Sequence, residues 1–170
     1  MTVEARRASP SHPASAGEGA RFLTPSLAQQ AARAVQPAIE AQLLRPEVSG
    51  LGVLHLVVLD SAPTVLDGPT EPRSLYEHSI GDRARWDVDY ADYARRKARL
   101  SWRHGMDSRR LQLLQPHRLR SDDSLLWGGV NLDGIVVAAS GAFPIWDECF
   151  SMLLAVQLRA LAWAAADQAR

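Results

Sequence analysis

The sequence predicts an α/β (α+β) domain in which helices pack on a central antiparallel sheet. Three observations predict it. Two short runs near the start, 51–60 and 73–80, are β-branched or alternate in polarity. Two more, 124–130 and 134–140, flank an Asp133-Gly134 dipeptide that marks a hairpin turn. Helical periodicity fills the stretches before, between and after these pairs. The order is helix, two strands, helix, two strands, helix, which layered packing resolves as a sheet with helices against it.

Each element has a local reason. Thr24-Pro25 opens the first helix, with a threonine N-cap and a proline where no amide donor is needed. Leu27, Ala31, Ala34, Val35, Ala38, Ile39 and Leu43 fall close to one face; Pro37 is expected to kink the helix and Arg45-Pro46 to end it. In the second strand Leu75, Glu77 and Ser79 alternate with Ser74, Tyr76, His78 and Ile80. The stretch from Trp86 has acids early and bases late, the order that complements a helix dipole, and Gly105 closes it. Residues 108–115 add a short turn. The last 25 residues, from Trp146, make the clearest helix, with Trp146, Cys149, Phe150, Leu153, Val156, Leu161 and Ala164 as its expected apolar face.

The chain has 170 residues, enough for one domain over 23–170 behind a Pro-, Ser-, Gly- and Ala-rich leader over 1–22. Lysine plus arginine equals aspartate plus glutamate, 19 each, so charge points to neither nucleic acid nor membrane. The sequence reads as having no apolar run long enough to cross a bilayer. Its single cysteine, Cys149, cannot form an internal disulfide. The expected location is cytoplasmic. No zinc spacing, phosphate-loop glycine pattern or serine elbow occurs, which disfavours a dinucleotide cofactor and a standard hydrolase triad.

Gly128, Gly129 and Val130, then "DGIVVAASGA" from Asp133, then Asp147-Glu148 after four residues, resemble the end of the haem-degrading-domain superfamily, the GlcG/HbpS-like proteins. Upstream, Arg96-Lys97 matches the W-x-x-R-K central helix of an uncharacterised branch, and His104 lies near that branch's histidine. The resemblance spans about residues 25 to 168. It implies a profilin-like three-layer α/β/α domain, assembly into dimers or larger homo-oligomers, and haem as a possible cofactor. Trp127 stands where the branch usually has histidine, and the strand before Ser140 lacks the usual glycines.

The resemblance and the residues together place a small-molecule pocket between the central helix and the strand-to-helix corner. Arg96 and Lys97 either pair with ligand carboxylates or form a solvated face. His104 is either an axial iron ligand or a histidine placed for the helix dipole. Gly128, Gly129, Ser140 and Gly141 either cradle an anion with free amides or only turn the chain, with Asp147 as helix cap. His55 is expected as a hydrogen-bonded core residue and Cys149 as core. The expected function is binding of haem or a small carboxylated or aromatic ligand. The alternative is an enzyme acting on a small metabolite without haem, its site shaped by Trp127, Phe143 and Trp146, with His104, Asp147 or Glu148 moving protons.

Overall fold

The computed structural model describes residues 20–62 and 72–170. Most of the expected leader and part of the loop after the first strand lie outside them.

Helix α1 (Pro25–Leu43) starts on Thr24, whose hydroxyl accepts the Leu27 amide, and runs on through Pro37. Strands β1 (Leu54–Leu59) and β2 (Ser74–Ile80) pair antiparallel, with His55 opposite Ser79 and Val57 opposite Glu77. Helix α2 (Tyr90–His104) follows, capped by Asp89 and closed by Gly105 in the left-handed conformation. It begins four residues later than the charge pattern from Trp86 implied. A short α3 (Ser108–Leu114) leads to β3 (Gly129–Leu132), β4 (Ile135–Ser140) and the long α4 (Pro144–Gln168). The sheet order is β2-β1-β4-β3 with every pairing antiparallel.

Helix α2 covers one sheet face, across β1, β4 and β3; α4 and α1 cover the other. The strands alternate accordingly. Leu54, Leu56 and Val58 join Val35, Ile39, Val137, Phe150, Leu154 and Leu158 in the larger core. Val57 and Leu59 meet Ala94, Ala98, Val136 and Ala138 under α2. The small α2 residues let that helix sit close to the sheet.

Three expectations need correction. The third strand was expected over 124–130 but spans Gly129–Leu132, because Gly128 takes a φ of 128° that breaks the extended run. The buried stripe of α4 is Asp147, Phe150, Ser151, Leu154, Ala155 and Leu158, while Cys149, Leu153 and Val156 face outward. Helix α4 is apolar almost all round, so periodicity alone could not choose the face, and two polar residues lie on the buried one. By length and composition this 25-residue helix could cross a membrane, contrary to the expected absence of such a run; here its inner stripe packs on the sheet.

Candidate functional site

The strand-to-helix corner brings together six of the expected residues: Lys97, Gly128, Gly129, Ser140, Gly141 and Asp147. Lys97, the sole lysine of the chain, is 1% exposed and its Nζ lies 2.7 Å from Asp147 Oδ2. The same ammonium donates to the Ala139 carbonyl at 3.0 Å and to Ser140 Oγ at 3.3 Å. An ammonium has three donors, and three acceptors meet it. Asp147 Oδ1 in turn accepts the Ala142 amide across the corner at 2.9 Å. Asp147 therefore ties the end of β4 to α4, a longer reach than the helix cap expected of it. Burial pushes its carboxyl up to about 7, against the pull of the Lys97 charge and the Ala142 amide. The same burial pushes the Lys97 ammonium down.

The glycines serve this closure. A Cβ on Gly128 would stand 2.8 Å from Asp147 Cβ and 3.1 Å from Lys97 Nζ; one on Gly129 would stand 2.5 Å from the Lys97 carbonyl oxygen. The Gly128 carbonyl accepts Ser151 Oγ at 2.6 Å, and the Gly129 amide donates to Ser108 Oγ at 3.1 Å. The expected pocket facing Lys97 is thus filled by the chain's own backbone. Haem does not fit this corner: Lys97 has no donor to spare, and the backbone lies against it.

The remaining expected residues lie elsewhere. His104 sits seven residues along α2 from Lys97, about 10 Å at 1.5 Å per residue. Its Nε2 accepts Arg103 Nε at 3.3 Å, so Nδ1 carries the proton, and that nitrogen is buried without a partner among the described residues. Burial, followed by the neighbouring Arg103 charge, pushes its pKa down. In this arrangement neither ring nitrogen offers iron a free lone pair. Arg96 donates to the Asp122 carbonyl at 2.9 Å. Glu148 accepts Arg109 Nε with both oxygens at 2.9 Å, and the Arg109 guanidinium lies 5.9 Å over the Trp127 ring.

A second polar cluster was missed from sequence. His55, a buried and hydrogen-bonded residue as expected, faces Ser79 Oγ through Nδ1 at 2.8 Å and Glu77 Oε2 through Nε2 at 3.2 Å. Arg95 grips Glu77 with two bonds of 2.9 and 2.7 Å, and Ser74 Oγ adds a third at 2.6 Å. Arg95, above all, holds the Glu77 carboxyl down at about 2. Trp86 stands edge-on to the imidazole at 5.7 Å. The alternation that put Glu77 and Ser79 on one face was the available signal; the pairing register that set them against His55 was not.

Concavity with apolar lining lies on the outside of α4. Ile145, Trp146, Glu148, Cys149, Met152, Leu153 and Val156 line a groove of about 680 Å³. A smaller one of about 390 Å³, lined by Leu125, Trp127, Pro144 and Ile145, adjoins it through Ile145. Cys149, expected in the core, is exposed in this groove because the helix turns its Phe150-Leu154-Leu158 stripe inward. Within the described residues no group of three or more His, Cys, Asp or Glu side chains is placed to hold a metal ion.

No protein-family model matches the chain, and no curated protein does. Among the solved structures similar to it are the following two. HbpS of Streptomyces reticuli, as a double mutant, is 22% identical with a TM-score of 0.55, over 88% of this chain and 97% of that one. Protein ORFY of Klebsiella pneumoniae, described under the family model DUF336, is 16% identical with a TM-score of 0.53, over 89% of this chain and 99% of that one. The chain therefore has the fold of these two proteins, which is the fold its motifs imply.

Proposed function

We propose that this chain is a small-ligand-binding protein of the GlcG/HbpS-like type, and that it takes a flat, largely apolar ligand bearing a carboxylate, haem being the first candidate. The ligand lies along the outer face of α4 and not at the Lys97 corner. The observation that carries this reading is the apolar groove from Ile145 to Val156, whose size falls within the ordinary range for ligand pockets. Arg109 stands at its edge, paired with Glu148, and can turn to a ligand carboxylate through its planar fork. Haem added to the purified protein is expected to give a shifted Soret band. Ile145→Asp, which puts a charge into the groove, weakens that binding at least tenfold, about 1.4 kcal/mol. An unshifted Soret band at micromolar haem removes haem as the ligand, and mass spectrometry of co-purified small molecules then names another.

The same surface supports a homo-oligomer. Ile145 is 52% exposed, Val156 44% and Trp163 65%, all on one helix, and a contiguous apolar face of this kind is ordinarily covered by a partner. Light scattering tests this: a dimer or larger particle that Val156→Glu dissociates supports it, and a monomer at high concentration refutes it.

A further inference from the structure

We propose that Ser79, His55 and Glu77 form a second site, in which a serine hydroxyl primed by a histidine base takes an acyl group from a small carboxylic ester. The argument is one of hydrogen-bond direction. Glu77, gripped by Arg95, can only accept, so the His55 nitrogen that faces it, Nε2, carries the imidazole proton. Nδ1 is then the nitrogen with a lone pair, and the hydroxyl 2.8 Å away, Ser79 Oγ, donates to it. Nucleophile, base and orienting carboxylate thus stand in the relation that activates a serine. The burial of His55 favours the neutral base this arrangement requires. No serine elbow is involved: the three residues meet because His55 pairs with Ser79 across β1 and β2, and Glu77 shares that face.

The surroundings fit such a role. Helix α2 lies over β1, β4 and β3, while Ser79 sits half-buried on β2 at the edge of the sheet. Trp86 stands edge-on to His55, an aromatic ring beside the base. Arg95 is a positioning residue, because it fixes Glu77 and through it the imidazole tautomer. In the reaction Ser79 Oγ bonds to the carbonyl carbon while its proton passes to His55 Nδ1. The ester C–O bond breaks, and the alcohol leaves with that proton. Water then attacks the acyl-serine, giving up a proton to Nδ1; that proton returns to Ser79 Oγ as the carboxylic acid is released.

The test uses the full chain and p-nitrophenyl acetate. The expected result is turnover above the uncatalysed rate, with the acetyl group located on Ser79 by peptide mass spectrometry. Ser79→Ala, checked for an unchanged circular dichroism spectrum, loses both. His55→Gln lowers the rate on the order of 10² to 10⁴-fold, the usual contribution of a general base. Turnover no faster than the uncatalysed reaction, acetylation elsewhere with Ser79 unmodified, or a Ser79→Ala protein as active as its parent overturns the proposal.

Discussion

Lys97 and Asp147 come from different layers of the fold and meet at 2.7 Å in a site closed to solvent. Lys97 stands on α2, on one side of the sheet, and Asp147 on α4, on the other; the end of β4 and the Gly128-Gly129 backbone fill the space between. The pair is thus a clasp between the two sheet faces at the end of β4. Removing one member strands the other, and a lone buried charge is costly. Lys97→Met is expected to destabilise the fold by about 3 to 5 kcal/mol. The double variant Lys97→Met, Asp147→Leu should recover much of that, since an apolar pair leaves no uncompensated charge. Urea denaturation of the two variants decides; a single variant as stable as the parent contradicts the clasp.

The two glycines over Lys97 give a sharper contrast. Gly128→Ala must fit a Cβ 2.7 Å from the Ala139 carbonyl oxygen at a φ of 128°, and should cost about 1 to 3 kcal/mol or more. Gly105→Ala has open space around it and bears only the left-handed backbone, about 1 kcal/mol. Thermal melting of the pair should place Gly128→Ala clearly lower.

Acid should loosen the β1–β2 side of the sheet first. Glu77 is held at about 2, below its ordinary 4.5, chiefly by Arg95. A depressed carboxyl contributes stability that is fully present above the unfolded value and is lost as pH falls from 4.5 toward 2. His55 is depressed below 6.5 by burial, so its contribution has the same sign and is lost as pH falls below 6.5. In stability measured from pH 7 to 3, Glu77 and His55 should therefore each contribute a fall in their own window, against the opposite slope of Asp147, whose raised carboxyl adds stability as pH falls from about 7 toward 3.8. In Arg95→Met the fall below 4.5 should shrink. An unchanged acid limb in that variant contradicts the assignment.

Substitutions on the outer face of α4 should separate binding from folding. Ile145→Asp and Val156→Glu replace exposed side chains, and such changes ordinarily alter stability by no more than about 0.5 kcal/mol. Both should keep the parent's circular dichroism spectrum while altering haem uptake or particle size, with any lower melt no larger than loss of the partner explains. A lost spectrum in either would mean that this face is part of the monomer's core.

The fold was largely legible in the sequence. Thr24-Pro25, Gly105 and Asp133-Gly134 punctuate the chain by local chemistry, so helix starts, a helix end and the hairpin could be read directly. The site was less legible, for three physical reasons. The resemblance brought Lys97, Gly128, Gly129, Ser140 and Asp147 to one corner, but whether a corner is hollow depends on packing, and here three acceptors and two glycines close it. The face of α4 depends on Asp147 and Ser151 finding partners inside, which hydropathy alone weighs the wrong way. The His55 cluster depends on strand register, which pairs residues 24 positions apart.

Because Lys97 is the chain's sole lysine, its enclosure can be measured with little ambiguity. The native protein, treated with an amine-reactive ester and mapped by mass spectrometry, is predicted to be labelled at the terminal amine and spared at Lys97, with Lys97 reacting readily once urea unfolds the chain. Labelling of Lys97 in the native protein as fast as in the unfolded one would mean that the corner is open, and that the ligand site belongs there after all.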